Sequence, residues 1–184
     1  MDNFSSAPGV IIAVPQLLDP NFHRSVIMMM EHNEEGAHGI VLNHETEHKC
    51  SDVTLSFELD WPSGHHVRLR RGGPVENQSL WMIHDDSWAF EETNLISGGI
   101  AVSRSRIALT RMVEADESNL RLMVGYAGWG AQQLEHEISE GTWICAPLRP
   151  EMVFDWRADE VWARSLAGIG INPVHLVGGV GTLQ

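Results

Sequence analysis

The stretch VGYAGWGAQQLEHEISEGTWICAP, residues 124–147, decides how this chain is read. The run leading into it, LRLMVG (120–125), is short, apolar and closed by glycine, which predicts a strand. The glycines of GYAGWG (125–130) then predict a tight turn. Glycine tolerates positive φ and lets backbones approach closely, so another chain segment or a ligand comes near at that point. The pattern is not a phosphate cradle: it lacks the Lys-Ser/Thr ending of a P-loop, and Tyr126 and Trp129 fill space that a dinucleotide loop keeps clear. AQQLEHEISEG (131–141) places Leu134 and Ile138 four apart with acids outside, and Gly141 stands where a helix stops. TWICA (142–146) predicts another strand, so Trp129 and Trp143 flank the helix.

Working outward, further strand-like runs occur at 9–14, 25–30, 39–43, 67–71, 80–84 and 96–102. Most are continuous apolar stretches, the pattern of strands covered on both faces. Helical spacing marks 103–115, behind a Ser103 or Ser105 cap, with Ile107, Ala108, Met112 and Ala115 toward one face. It also marks 158–170, with Val161, Trp162, Ser165, Leu166 and Ile169 on one stripe ending at Gly168 or Gly170. Residues 51–62 are compatible with a strand or a short helix. Many strands interrupted by a few helices predict an α+β, sheet-rich fold. With no internal repeat or low-complexity linker, residues 1–184 form one domain, 1–8 and 171–184 being peripheral tails.

The chain has 184 residues, 43% hydrophobic and 20% charged, ordinary for a globular protein. Twelve Lys and Arg against twenty-five Asp and Glu give a net charge of −13, which argues against direct nucleic-acid binding. RLRR (68–71) is the one dense basic run, and strand alternation splits it between two faces. No secretory leader and no membrane-length apolar run is visible, so a cytoplasmic protein with reduced thiols is expected. Cys145 reads as a buried small hydrophobe. Cys50, beside Lys49, reads as an exposed loop thiol.

HETEHKC (44–50) contains a literal H-E-x-x-H, which on a helix points two imidazoles at one metal. Here it follows a strand ending at Asn43, Thr46 is a poor helix former, and no third ligand follows at the required spacing. An irregular loop is expected, with His44 and His48 binding metal only adventitiously. His84 meets Asp85 at a strand end. A carboxylate beside an imidazole suits a general base, but strand neighbours point to opposite faces, which favours a backbone-bonded His. Arg24 either clamps an anion or pairs with Asp19 or Glu31.

The succession of 9–43, GGPVE (72–76), LWMIHD (80–85), 124–147 and VFDWRADEVWARSLAGIG (153–170) resembles the YqgE/AlgH family. The G-Y-A-G-W-x-x-x-Q-L-E-x-E segment is the most specific part. The chain departs from the family after Leu42-Asn43, where a basic residue and proline are usual. The resemblance implies a bifurcated, mostly antiparallel sheet folded into a pseudo-barrel with a few helices outside. It supplies no catalytic residue and no cofactor, and its associated role, transcriptional regulation, describes no chemistry. A non-enzymatic binding or regulatory protein is therefore expected, with a protein or small-molecule partner. Asn43, Gly72, Gly73, Pro74, His84 and Trp129 are the candidate lining of a pocket at one end of the sheet. The rival reading is a hydrolase or metal enzyme using His84 and Asp85, or His44 and His48.

Overall fold

The computed structural model describes residues 5–62 and 67–173; the outer parts of the expected tails, 1–4 and 174–184, lie outside the described residues. The strands are β1 (Gly9–Ala13), β2 (Val26–Asn33), β3 (Gly36–Val41), β4 (Glu45–Lys49), β5 (Arg68–Arg71), β6 (Val75–Asp85), β7 (Asn94–Ser97), β8 (Ile100–Ser103), β9 (Arg121–Gly130) and β10 (Trp143–Ala146). The helices are α1 (Cys50–Leu55), α2 (Arg106–Glu114), α3 (Gln133–Ser139), α4 (Pro150–Phe154) and α5 (Ala158–Gly168). The fold is α+β. One ten-stranded sheet runs β10-β1-β2-β3-β9-β6-β8-β7, with β5 branching from β9 and β4 pairing β5. Every pairing is antiparallel except β5 with β9.

The branch lies within β9. Its second half pairs β3 through Ala127–Gly130, and its first half pairs β5 through Met123 and Val124. Gly72 hands the hydrogen bonds across: its N–H donates to Val124 O, and its carbonyl accepts from Val41 N–H, both at 2.8 Å. No side chain fits here. A Cβ on Gly72 would lie 2.3 Å from Gly125 O, and one on Gly73 would lie 2.1 Å from the carbonyl carbon of Tyr126. Gly125 itself has φ +72. The close approach expected at GYAGWG is therefore real, and the segment that comes near is the other glycine pair, Gly72-Gly73. The expected turn at GYAGWG is not formed: these residues continue β9, a strand met by backbone at its midpoint.

Strand runs are apolar throughout because both sides are covered. In β1 and β2, Val10, Ile12, Val26 and Met28 face α4 and α5, while Ile11, Ala13, Ile27 and Met29 face α3. Trp162 of α5 reaches through to donate its indole N–H to Ala13 O at 2.8 Å. A third cluster lies under α1 and α2, on Leu69, Met82 and Leu122. Residues 51–55 resolve as helix. The single strand expected over 96–102 is a hairpin, β7 to β8, turning at Gly98 and Gly99 with φ +60 and +80, the backbone that a type I′ turn requires. Arg24 lies over the Trp162 ring at 5.2 Å.

The helix after β9 is held by its own acids. Glu137 Oε2 accepts from the indoles of Trp129 at 2.9 Å and Trp143 at 2.8 Å, while Oε1 accepts from Gln133 Nε2 at 3.0 Å. Gln133 Oε1 in turn accepts from Gly130 N–H at 3.1 Å. The motif's Trp, Gln and second Glu thus form one clasp binding α3 to β9 and β10.

Replacing Gly73 by Ala must part β9 from the 72–73 segment and is expected to cost more than about 3 kcal/mol in urea unfolding. Gly128→Ala in the same strand meets nothing nearer than 3.5 Å and is expected to change stability by less than about 1 kcal/mol.

Candidate functional site

Ser105 accepts from Ala108 N–H at 3.2 Å and starts α2, whose buried residues are Ala108, Leu109, Met112 and Val113. The expected face is therefore rotated by about one position. Ile107 is 70% exposed, and Ala115 lies in the open. Arg106 donates to Phe57 O at 3.3 Å, which sets the segment after α1 against α2. A recess of about 260 Å³ opens between these segments and β6, floored by Phe57, Leu80, Met82 and Leu109 with Arg104 and Arg106 at its lip. A second hollow of about 320 Å³ adjoins it along Ile107, Thr110 and Arg111.

The charges here run against local helix stability. A helix N-terminus carries partial positive charge and favours acids. The first turn of α2 has none, and it begins at Arg106, two residues after Arg104. Arg104 lies 4.2 Å over the Trp81 ring and 3.5 Å from the half-exposed carboxylate of Glu76. An anion arriving at this lip meets two guanidinium groups and the positive helix end together. Sequence reading passed over this surface because α2 was read for its buried stripe. The available signal was Arg104, Arg106 and Arg111 within eight residues of a chain holding twelve cations.

The pocket-lining residues expected from sequence are brought together only in part. Asn43 binds the β2 backbone, accepting from Val26 N–H at 2.8 Å and donating to Arg24 O at 2.9 Å, near Gly72 and Gly73. Pro74 follows on the exposed rim. Trp129 is 6% exposed in the Glu137 clasp. His84 lies toward the opposite end of β6, since Val75 pairs Tyr126 while Ile83 pairs Arg121.

His84 is fully buried. Its Nδ1 faces Asp85 O at 2.7 Å, and a carbonyl only accepts, so Nδ1 carries the proton. Nε2 then accepts from Ser103 Oγ at 2.9 Å, Ser103 accepts from Thr93 Oγ1 at 2.9 Å, and Thr93 accepts from Phe90 N–H at 2.8 Å. The chain of donors is complete in one direction and ties the segment before β7 to β6 and β8. Asp85 turns elsewhere, to Ser87 and Asn119, bonds that hold its carboxyl below the usual range against its own burial.

Four of the five H-E-x-x-H residues, Glu45 to His48, lie in the strand β4, where an irregular loop was expected, and His44 directly precedes it. His44 precedes the strand and His48 is exposed within it, so the extended backbone between them does not put the pair on one helical face. His44 donates Nε2–H to His23 O at 3.1 Å, and burial lowers its pKa. No group of three His, Cys, Asp or Glu placed to hold a metal occurs among the described residues.

The two thiols exchange the places expected of them. Cys50 is buried at the start of α1 and pushed up to about 12 by burial; Cys145 is exposed on β10. A strand-edge position carries Cys145 outward, and the short helix carries Cys50 inward. Native protein is expected to react with a thiol reagent at Cys145 alone, Cys50 reacting only on unfolding; mass mapping of the adducts checks this.

A sheet that forks at a glycine crossing and is clasped through Trp129, Glu137 and Trp143 defines the class of protein. The chain belongs to the AlgH-like family, whose sequence profile matches residues 10–174. It is 38% identical over 178 residues to a UPF0301 protein of Myxococcus xanthus strain DK1622, covering 95% of this chain and 97% of that one. A UPF0301 protein of Chelativorans sp. strain BNC1 is 34% identical, with 90% and 87% covered. The solution structure of the AlgH protein from Pseudomonas aeruginosa aligns over the whole of both chains with TM-score 0.75 and 30% identity. A crystal structure of a Corynebacterium diphtheriae protein, 24% identical with TM-score 0.75 and covering 91% of this chain and 90% of its own, shares the fold.

Proposed function

We propose that this chain is a non-enzymatic binding protein that docks an acidic segment of a protein partner on the surface of α2. The observation that carries the reading is Ile107, 70% exposed, in a hollow that adjoins a recess whose lip carries Arg104 and Arg106. Exposed apolar surface with a charged rim marks association sites. The partner's carboxylates would meet the arginines and the positive end of α2, while an apolar side chain enters over Leu80 and Met82. Charge supports a protein over a nucleic acid: a chain at −13 repels a phosphate backbone at long range, whereas a short acidic peptide needs only the local patch. A regulatory effect on transcription would then pass through the partner. The fully buried His84 offers no accessible imidazole to the form of the hydrolase alternative that uses it.

The test is capture from native extract with wild-type protein and with a folded Arg104→Glu, Arg106→Glu variant, each at low and high salt. Proteins held by wild type at low salt are expected to be lost in the variant and on raising salt. Capture indifferent to both changes, or no capture, overturns the reading.

A further inference from the structure

A different part of the molecule, independent of the α2 surface, carries a second site. β4, β5 and the first turn of α5 border an open cleft of about 420 Å³, lined by Glu45, Arg70, Arg157, Ala158 and Asp159. That volume suits a small metabolite.

Arg70 is its most buried member, only 5% exposed. Its Nη1 donates to Leu42 O at 2.9 Å, but its Nε has no acceptor among the described residues. Glu45, its register partner across the β4–β5 ladder, stands 4.0 Å from Arg68 instead. Burial first, and then the nearby positive charge of Arg121, lower Arg70 to about 10 against the opposing pull of the Glu45 carboxylate, which leaves it cationic at neutral pH. Arg121 adds to the excess because its guanidinium is held by the carbonyls of Ser118, Leu120 and Phe154. Buried cations normally come paired with a carboxylate, and Arg70 has none in hydrogen-bonding range among the described residues.

Across the cleft, Arg157 and Asp159 form a two-pronged pair at 3.1 and 2.8 Å. Ala158 opens the eleven-residue α5, whose N-cap makes no side-chain cap bond, and its positive end favours a carboxylate nearby. With Asp159 committed to Arg157, and the Glu45 carboxylate 4.0 Å from Arg68 and in no hydrogen bond among the described residues, the lining groups of opposite charge that a ligand can engage are Arg70 and Glu45. A phosphate would satisfy the first and be repelled by the second. A molecule carrying a carboxylate next to an ammonium satisfies both.

We infer that this cleft binds a small zwitterionic carboxylate of the α-amino-acid type, its carboxylate on Arg70 and its ammonium on Glu45. The probes are the standard L-amino acids one at a time, acetate, and inorganic phosphate. Each is titrated into ¹⁵N-labelled full-length protein while the amides of Arg70 and Ala158 and the arginine Nε–H signals are followed. At least one amino acid is expected to shift these signals saturably and more tightly than acetate, with phosphate silent. Glu45→Gln is expected to weaken that amino acid about tenfold and leave acetate unchanged. Arg70→Met is expected to abolish both. Glu45 is an exposed strand residue, so its variant keeps the test decisive even where the Arg70 variant does not fold. No response to any amino acid overturns the inference, as does acetate or phosphate binding as tightly as the best of them, or Glu45→Gln having no effect.

Discussion

Everything in this fold is arranged around two lengths of backbone in direct contact. Gly72 and Gly73 lie against Gly125 and Tyr126 so closely that a single methyl would fall 2.1 to 2.3 Å from backbone atoms, far inside van der Waals contact. Because Gly72 bonds to Val124 on one side and Val41 on the other, the same short segment joins the two branches of the sheet. β9 thereby serves β3 with one half and β5 with the other. Both flanking layers follow: α3 closes over one face of β1–β3, α4 and α5 close over the other, and α1 and α2 cover the second branch. Without the crossing, the branches have no common strand and the three apolar clusters have no shared frame.

Much of this was legible in the sequence, for a physical reason. Strands covered on both sides must be apolar at every position, so GVIIA and VIMMM announce themselves without alternation. α5 is amphipathic, and its stripe at Val161, Trp162, Ser165 and Leu166 is the buried face observed. Where reading failed, one residue type has two uses. Glycine signals a turn, and it also signals a strand that another backbone must touch; composition alone does not separate GYAGWG, a crossing, from Gly98-Gly99, a true turn hidden inside an apparent strand. The helix-or-strand question over 51–55 was settled by Cys50 and Thr54, whose burial depends on partners distant in sequence.

The sites were less legible than the fold, because they depend on which side of an element faces out and on what crosses over it. H-E-x-x-H has meaning only on a helix, and β4 is drawn into a ladder with β5 that no property of the five residues announces. His84 beside Asp85 suggests catalysis on paper, yet the Asp85 carbonyl and the donor chain through Ser103 and Thr93 each take one ring nitrogen for structure. On α2 the error was one of phase. Assigning Ile107 to the core concealed that the helix turns an isoleucine outward between arginines, the feature from which a docking surface is argued.

Charge then shapes what the two proposed sites can be. At −13 overall, the chain surrounds any ligand with a repulsive background for anions, screened within about 8 Å at physiological ionic strength. Anion recognition here must therefore be local and short-ranged. The proposed α2 site does this at the surface, stacking Arg104 on Trp81 and placing Arg106 over Phe57, so the guanidiniums are held on aromatic faces. Arg70 does it by burial, which excludes the screening solvent and strengthens its field over a few ångströms. The exposed pair suits a broad, salt-sensitive contact with a macromolecule, and the buried one suits a small molecule whose charges are fixed in relative position. The same side chain, set at two depths in one acidic protein, thus argues for two ligands of different size.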